Sequence, residues 1–369
     1  MKPNKQDTEW MRRALTLAAQ GRGYTSPNPM VGAVIVRDGA VAGEGYHPAV
    51  GQPHAEVHAI QEATGRLQGS TMYVTLEPCG FHGRTPPCTE ATISAGITRV
   101  VVAMADPDPR VSGNGIERLR ASGITVEVGL LENEARRLNA AYIHHRQTGK
   151  PFVLLKFAQT LDGQTATCTG QSQWITGQEA RTRGHQMRGE SDGVLVGVGT
   201  VLADDPELTV RHVAGRQPRR IILDSAGRTP VTARIFSTGE APPIIYMTDR
   251  APHARRVALH QAGAECVGVP GSEDGHVDLQ ALLEDLGGRQ VVTLMVEGGS
   301  GVATAFLREQ EVHQIACFIA PKVLGASLSA IGNLSISTVD NAITLRDITI
   351  ERPGDDILVT GVINYTNDL

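Results

Sequence analysis

The chain has 369 residues, of which 41% are hydrophobic and 20% are charged, as in ordinary globular proteins. This length exceeds what one hydrophobic core usually organises, so we expect two domains. The formal net charge of −5 argues against a polynucleotide substrate, because nucleic-acid-binding proteins are more often basic.

The first half of the sequence alternates strands with helices. Apolar residues recur at helical spacing over residues 7–20, and Asp38-Gly39 is a hairpin turn signal after an apolar strand. Strands are predicted at residues 31–36, 71–76, 99–104 and 124–129, and helices at 54–63, 89–95, 114–122 and 131–147. This alternation predicts an α/β/α sandwich.

The pattern restarts after Gly149 and Pro151, which mark a short connection. Strands are predicted at residues 152–158, 193–198, 219–224, 243–247, 291–298, 314–320 and 355–365, and helices at 177–189, 251–263, 277–286 and 301–309. We therefore predict a second α/β domain and divide the chain into domains at 1–147 and 148–369.

The sequence also bears on the cellular compartment. It contains no apolar run long enough to span a bilayer, and its N-terminal stretch is charged and lacks an apolar signal core. Five cysteines are few and odd in number, which argues against a disulfide framework. We expect a cytoplasmic protein with no membrane partner, in which Cys168, Cys266 and Cys317 are buried or incidental thiols.

The remaining cysteines belong to a pattern with chemical meaning. His54-Ala55-Glu56 precedes Pro78-Cys79, and Cys88 follows, an arrangement typical of zinc deaminases. Zinc binds imidazole nitrogen and thiolate sulfur tetrahedrally, and a catalytic site leaves one position for water, which the metal activates. A carboxylate that is not a ligand must shuttle the proton to the leaving ammonia, and Glu56 is placed for this role. A helix beginning at Cys88 would favour its thiolate.

Other interpretations of these residues are weaker. Cys79 and Cys88 could be unrelated thiols of a proline-rich loop, but the upstream histidine and glutamate favour zinc. His54 and His58 share a helix face, yet a protease of the H-E-x-x-H type needs glutamate where Ala55 stands. His82 is either a neighbour of the site or a solvent-exposed loop histidine.

Four motifs cover most of the first 115 residues: SPNPMVGAVIV, GEGYHPAVGQPHAEVHA, EPCGFHGRTPPCT and ADPDPRVSGNG. As a set they resemble the deaminase half of the bifunctional riboflavin-biosynthesis deaminase/reductase family, known as RibD or RibG. The resemblance implies a cytidine-deaminase-like domain with zinc on His54, Cys79 and Cys88 and with Glu56 as the catalytic proton shuttle. It assigns the substrate pocket to Asn28, His47, Arg84, Asp106 and Asp108. The family usually has asparagine at position 108, and an ionised aspartate only accepts hydrogen bonds.

The second half is less transparent from physical chemistry alone. The glycine-rich stretches at 197–202 and 297–301 each follow a strand, and such loops let backbone amides approach a phosphate. Tight strand–helix turns need glycine in any case, so these loops indicate only a possible nucleotide site. Lys156 on a buried strand is unusual and receives no role.

Six further motifs resemble the reductase half of the same family: KFAQTLDGQTA, SQWIT, GTVLADDPELTVR, RRIILDS, VEGGSG and IAPKVLG. That half is similar to dihydrofolate reductase in fold and uses NADPH. The resemblance assigns the cofactor site to Ala158, Trp174, Thr200, Asp204, Ser225, Glu297, Gly298, Gly299, Ser300 and Gly301. It assigns substrate contacts to Ser172, Arg188, Leu208, Arg211 and Glu297. Arginine suits a phosphoribosyl substrate because its guanidinium binds phosphate in a bidentate fork.

The resemblance implies two consecutive reactions on a small phosphoribosyl pyrimidine. A diaminopyrimidinone ribosylamino 5′-phosphate is deaminated hydrolytically, and NADPH then reduces the ribosyl group to ribityl. It also suggests a homodimer or homotetramer assembled through the reductase halves. Three alternatives stay open: a tRNA or DNA base deaminase, a zinc-stabilised binding module, and a family member that has kept only deamination. The first usually shows P-C-x-x-C and stacking aromatics, whereas eight residues separate these cysteines and aromatics make up 4%.

Overall fold

The structure is a computed structural model that describes residues 5–80, 87–108 and 111–365. The chain divides into two compact units, Met1–Gly149 and Lys150–Leu369. No helix in these described ranges is both long and apolar enough to cross a lipid bilayer.

The first unit contains a five-stranded sheet in the order β2-β1-β3-β4-β5. Its strands are β1 (Gly32–Arg37), β2 (Ala40–Tyr46), β3 (Thr71–Val74), β4 (Arg99–Val102) and β5 (Thr125–Val128). Its helices are α1 (Lys5–Ala19), α2 (Ala55–Gln61), α3 (Cys88–Ser94), α4 (Asn114–Ala121), α5 (Glu132–Leu138) and α6 (Ala140–Thr148). Strand β1 is antiparallel to β2 and β3, whereas β3, β4 and β5 run parallel.

Alternation along β1 explains why helices cover both faces of this sheet. Ala33 and Ile35 pack in one core with helix α2, whereas Val34 and Val36 pack in another with Met11 of helix α1. Because successive side chains of a strand point to opposite faces, an all-apolar strand requires two covered faces. The predicted α/β/α sandwich is therefore confirmed.

The second unit contains a nine-stranded sheet in the order β11-β10-β9-β8-β12-β6-β13-β16-β15 and a two-stranded sheet of β14 and β7. Its strands are β6 (Phe152–Thr160), β7 (Gln164–Ala166), β8 (Gly193–Gly197), β9 (Arg219–Leu223), β10 (Ile244–Met247), β11 (Glu265–Gly268), β12 (Thr293–Val296), β13 (Gln314–Ala320), β14 (Leu328–Ser329), β15 (Thr344–Glu351) and β16 (Ile357–Asn364). Its helices are α7 (Gln178–Gly189), α8 (Val198–Asp204), α9 (His253–Gln261), α10 (Leu279–Gly288) and α11 (Ser300–Arg308), with 3-10 turns at Arg234–Phe236 and Val339–Asn341.

The strands of the large sheet run parallel from β11 through β13, and β16 and β15 extend it as an antiparallel hairpin. Leu195 and Ile221 pack in the core on one face, and Val196 and Ile222 in the core on the other. The second α/β domain predicted from the sequence is confirmed. The carboxyl ends of neighbouring parallel strands lie at one edge, where ligands of such sheets bind.

The structure departs from the sequence prediction at the sheet edges and in one helix. Strands β2, β11 and β15 were not predicted, and each is an edge strand. Strand β15 is exposed along nearly all of its length, so its sequence lacks the buried alternation that marks a strand. Strands β7 and β14 and helix α8 are short and were also missed.

The single helix predicted over 131–147 is wrong, because the structure has two helices that meet at Asn139. The buried Asn139 side chain accepts a hydrogen bond from the Met30 amide at 2.8 Å and donates to the Met30 carbonyl at 2.9 Å. This two-way bond to the backbone before strand β1 holds the break in place.

Candidate active sites

Three elements of the first unit bring the predicted zinc ligands together. His54 is the N-cap of helix α2, Cys79 lies in the loop after strand β3, and Cys88 is the first residue of helix α3. The ligand atoms of the three residues lie within 4.8 Å of one another. Nδ1 of His54 is 3.1 Å from the Cys88 sulfur and 3.7 Å from the Cys79 sulfur. One nitrogen and two sulfurs are the donor set that zinc prefers.

The electrostatics of this cluster favour a thiolate. A hydrogen bond from the Cys88 thiol lowers the pKa of Cys79 to about 4, and the Cys88 amide adds to this at 3.3 Å from the Cys79 sulfur. The hydrogen bond with Cys79 raises the pKa of His54. The pKa of Cys88 is raised because its proton is held in the bond to Cys79. Cys79 is thus ready to bind a cation, and Cys88 would release its proton on metal binding.

Glu56 lies in the first turn of helix α2, two residues after His54, and is 3% exposed. Burial raises its pKa to about 7, with a further contribution from the Cys79 thiolate. A carboxyl group with this pKa can take up and release a proton near neutral pH.

Among the described residues, the metal-type cluster consists of His54, Cys79 and Cys88. His58, the rival ligand, stands outside it, with its ring edge-on to Tyr46 at 6.4 Å. His82 and Arg84 lie outside the described residues.

Two predicted pocket residues, Asn28 and His47, are joined directly. The Asn28 amide nitrogen lies 3.2 Å from Nε2 of His47, and Nδ1 of the same ring lies 3.1 Å from the Pro53 carbonyl oxygen. The His47 ring stands edge-on to His54 at 5.4 Å between centroids. The structure therefore places this pair beside the metal cluster.

The other predicted pocket residues, Asp106 and Asp108, are both buried after strand β4. Asp106 accepts a hydrogen bond from the Asp108 amide at 2.9 Å and one from the Tyr142 hydroxyl at 3.1 Å. Burial raises the pKa of Asp106. Arg146 approaches Asp108 at 4.0 Å and lies over the Tyr142 ring at 5.2 Å. Sequence reasoning missed Tyr142 and Arg146, because they lie on helix α6, far along the chain from the motifs.

A further residue missed from the sequence is Glu77, which directly precedes Pro78-Cys79. Its buried carboxylate accepts backbone hydrogen bonds at 2.9–3.3 Å from four amides. The donors are Asp106, Gly113, Gly115 and Ile116. This carboxylate ties the loop of Cys79 to the start of helix α4.

In the second unit, Arg188 and Glu297 form an ion pair between helix α7 and the end of strand β12. Nη2 of Arg188 donates to Glu297 at 2.6 Å, and Nη1 donates to the Thr209 carbonyl at 2.7 Å. Burial alone would raise the pKa of Glu297, but the charges of Arg188 and Lys156 turn the net direction downward. Lys156 itself lies 5.5 Å above the centroid of the Phe318 ring.

Arg211 and Leu208 lie in the segment that follows helix α8. Leu208 is buried and has a left-handed backbone with φ of 56°. The Arg211 side chain is 42% exposed and donates through Nη1 to Glu207 at 2.7 Å and to Thr209 Oγ1 at 3.1 Å. The structure therefore leaves the guanidinium of Arg211 more available to a ligand than that of Arg188.

Two neighbouring strands, β8 and β12, end at helix N-termini that carry predicted cofactor residues. Gly299 is the N-cap of helix α11, and a Cβ on it would lie 3.6 Å from Oγ1 of Thr200 in helix α8. A Cβ on Gly298 would lie 2.6 Å from Cβ of Val302, so this turn requires glycine. Ser300 and Gly301 form the first turn of helix α11. Paired helix N-termini at strand ends suit a phosphate group.

The remaining predicted residues are distributed around the same unit. Ser172 donates to Asp204 at 3.0 Å, and Ser225, after strand β9, accepts from the Val277 amide at 3.1 Å. Trp174 is 63% exposed, and the guanidinium of Arg181 lies 4.4 Å from its ring centroid. Ala158 lies in strand β6.

Comparison with known proteins assigns both units. Residues 151–359 match the family model described as the RibD C-terminal domain, and residues 4–104 match the cytidine and deoxycytidylate deaminase zinc-binding region. The riboflavin biosynthesis protein RibD of Aquifex aeolicus is 45% identical over 96% of this chain and 97% of that protein. RibD of Escherichia coli is 44% identical over 87% of this chain and 89% of that protein.

Solved structures agree with these matches. Form 1 of Acinetobacter baumannii RibD superposes with a TM-score of 0.87 at 38% identity, covering 98% of this chain and 99% of that one. A Thermotoga maritima structure, described as a diaminohydroxyphosphoribosylaminopyrimidine deaminase/5-amino-6-(5-phosphoribosylamino)uracil reductase, gives 0.84 at 37% identity, with the same coverage. Both similarities extend over the deaminase-like and the reductase-like unit. The chain therefore belongs to the RibD family of riboflavin biosynthesis proteins.

Proposed function

We propose that the first unit deaminates a diaminopyrimidinone ribosylamino 5′-phosphate and that the second reduces the ribosyl group of the product to ribityl with NADPH. The main support is that the ligand atoms of His54, Cys79 and Cys88 cluster in a chain that matches a bifunctional relative over 98% of its length. Residues 1–147 would form the deaminase domain and residues 148–369 the reductase domain.

The first unit has the donor set and the carboxylate that this deamination needs. His54, Cys79 and Cys88 would hold zinc, and a bound zinc ion supplies the Lewis acidity that activates water for attack on the amino-bearing ring carbon. Glu56 takes the proton from the attacking water and delivers it to the leaving amine. Its burial in the first turn of helix α2, two residues after His54, suits both halves of this transfer.

The pyrimidine would be bound by the pocket residues carried over from the family. Asn28 and His47 stand next to the metal ligands, which supports a role in orienting the ring. Asp106 and Asp108, with Arg84, would complete the pocket. The Tyr142 hydroxyl donates a hydrogen bond that holds Asp106 in place.

In the second unit, NADPH when bound supplies the hydride, and the protein supplies orientation. Thr200 of helix α8 lies next to the N-cap of helix α11, which supports a role for this residue and the glycine turn in holding the cofactor. Ala158, Trp174, Asp204, Ser225 and the stretch from Glu297 to Gly301 would line the rest of the cofactor site. Ser172, Leu208, Arg188, Arg211 and Glu297 would contact the substrate.

The two arginines have different positions in this proposal. Arg188 is engaged by Glu297 and the Thr209 carbonyl, so it organises the pocket wall. Arg211 is anchored through Nη1 and its side chain is 42% exposed, which supports it as the clamp for the substrate phosphate. From the family resemblance we further propose a cytoplasmic homodimer or homotetramer assembled through the reductase halves.

The proposal is tested by mass spectrometry of the products formed from the diaminopyrimidinone substrate, with and without NADPH. We expect the deaminated product alone without NADPH and the deaminated, reduced product once NADPH is added. A deaminated product that NADPH leaves unchanged would limit the function to deamination. No turnover by folded, zinc-loaded protein would overturn the pathway assignment and favour a nucleic-acid substrate, which single-stranded oligonucleotides would then test.

A further inference from the structure

The segment of residues 208–211 carries Leu208 and Arg211, two of the residues proposed to contact the reductase substrate. It has no regular secondary structure, and within the described ranges it pairs with no strand. Four of its backbone polar groups are bonded by side chains instead. The position of Arg211 thus depends on side chains rather than on a sheet ladder.

Two side chains hold the middle of the 208–211 segment. Arg188 donates to the carbonyl of Thr209 at 2.7 Å. Gln217 brackets Val210, accepting from its amide at 2.9 Å and donating to its carbonyl at 3.1 Å. Neither contact changes with protonation near neutral pH, because amides do not titrate there and arginine stays charged.

The third side chain is His185, which lies one helical turn before Arg188 on helix α7. Its Nδ1 is 3.3 Å from the backbone nitrogen of Arg211. Because a backbone N–H only donates, Nδ1 must be the unprotonated nitrogen, and the ring is neutral with its proton on Nε2. The ring is 7% exposed and stands edge-on to His212 at 4.6 Å.

The charged groups around His185 oppose its protonation. Arg188 on its own helix and Arg211 and His212 on the facing segment disfavour a charge on the ring, and the carboxylate of Glu297 acts in the opposite direction. Burial is the largest cause that lowers the pKa of His185, to about 4, and the neighbouring cations contribute in the same direction. The acceptor for the Arg211 amide is therefore present throughout the neutral range.

We propose that His185 is a positioning residue of the reductase: as a neutral acceptor it fixes the Arg211 backbone and so places the guanidinium that binds the substrate phosphate. The inference rests on the proposed function, since Arg211 must be the phosphate clamp. Protonation of His185 removes the acceptor and puts a cation against the Arg211 amide. The clamp then loosens in acid.

The first experiment measures reductase kcat and KM at neutral pH, with 5-amino-6-(5-phosphoribosylamino)uracil and NADPH, in the full-length chain. His185→Leu removes the acceptor. We expect KM to rise about tenfold and kcat to change by less than about twofold. This is the effect of losing one buried hydrogen bond that contributes to substrate binding. His185→Asn keeps an acceptor near the position of Nδ1 and should restore KM to within about threefold of wild type. His212→Asn, the matched control on the facing segment, should resemble wild type.

A double-mutant cycle separates positioning from general stabilisation. In an Arg211→Ala background, His185→Leu should raise KM by less than about twofold, because the residue it positions is gone. Additive effects would overturn the proposal, as would a His185→Leu variant with wild-type KM. The deaminase activity and thermal unfolding of each preparation report whether the variant is folded. Absence of any reductase turnover in the wild type would instead contradict the proposed function itself.

A second measurement uses the wild-type chain and does not depend on the leucine variant. The reductase KM of the wild type should rise more steeply than that of His185→Asn as the pH falls below about 5, toward the His185 pKa of about 4. The substrate phosphate also titrates in acid, with a second pKa of about 6, but it does so equally for both proteins. Parallel profiles for the two proteins would contradict a role for His185 as the acceptor.

Discussion

The side chains of Asn28 and His47 form a directed hydrogen bond beside the metal cluster. The Pro53 carbonyl only accepts, so Nδ1 of His47 carries the ring proton and Nε2 accepts from the Asn28 amide. Burial lowers the pKa of His47, which keeps the ring neutral. Asn28 is therefore required as a donor, and a residue of the same shape without a donor should fail.

Asn28→Asp tests this requirement. The aspartate has no N–H to donate to Nε2. His47 then either keeps a buried, unpaired acceptor, at a cost of about 1–3 kcal/mol, or takes up a proton and becomes a cation beside the metal ligands. We expect deaminase kcat/KM to fall by about tenfold to a hundredfold, while the reductase activity of the same preparation stays unchanged. A variant with full deaminase activity would show that the pair has no part in substrate binding.

Glu56→Gln should abolish deamination while zinc stays bound. Removing a proton shuttle typically costs about a hundredfold to ten-thousandfold in rate, and the glutamine side chain has nearly the same shape. The measurements are deaminase kcat, zinc content by atomic absorption, and reductase turnover on the deaminated substrate. Equal loss of both activities would argue against two separate sites.

Cys88→Ser should release zinc, because the cluster then offers only two strong ligands. Cys168→Ser is the matched control, since Cys168 is exposed and outside the cluster. We expect less than half an equivalent of zinc in the first variant, about one equivalent in the second, and reductase activity in both. Full zinc content in Cys88→Ser would mean that another residue completes the site.

At Gly115 the backbone of helix α4 packs directly against the loop of Cys79. A Cβ at Gly115 would lie 1.9 Å from the Pro78 carbonyl oxygen, whereas one at Gly288 would meet nothing within 4 Å. Gly115→Ala must therefore displace the loop, and we expect weaker zinc binding and a lower melting temperature. Gly288→Ala, in the other unit, should leave both quantities near wild type. Unchanged zinc affinity in Gly115→Ala would show that the loop can shift at Pro78 without displacing the Cys79 sulfur.

The lowered pKa of His185 also predicts how the free energy of unfolding depends on pH. Its pKa is about 4 in the folded chain against 6.5 for the ordinary side chain. Between these values the unfolded chain binds a proton that the folded chain does not, so stability rises with pH across this window and falls as the pH drops from 6.5 towards 4. The full shift corresponds to at most about 3 kcal/mol.

Urea unfolding of the second unit, followed between pH 4 and 7, measures this dependence. His185→Asn cannot titrate there, so its free energy of unfolding should decline less in acid than that of the wild type, by up to about 3 kcal/mol at the lower end. Identical pH dependence of the two proteins would mean that His185 has an ordinary pKa in the folded state.

Much of the fold could be predicted because the central strands are apolar on both faces. Strands such as β1, β8 and β9 are short apolar runs bounded by turn residues, a pattern that predicts buried strands. The edge strands β2, β11 and β15 could not be predicted in this way, because an edge strand need not bury both of its faces and so lacks an apolar run. The helix break at Asn139 depends on Met30, which is distant in sequence, so no local pattern could reveal it.

The chemistry proposed for the first site could be predicted from the sequence alone, because zinc ligands and a proton shuttle are specific residue types at specific spacing: His54, Glu56, Cys79 and Cys88. Family motifs added the residues of the second site but not their arrangement. The fold sets three features that the motifs do not show: Arg188 is paired with Glu297, Arg211 is partly exposed, and His185 is neutral. The reason is physical: hydrogen-bond partners, burial and pKa are set by neighbours from other elements of the fold, which the order of residues along the chain does not display.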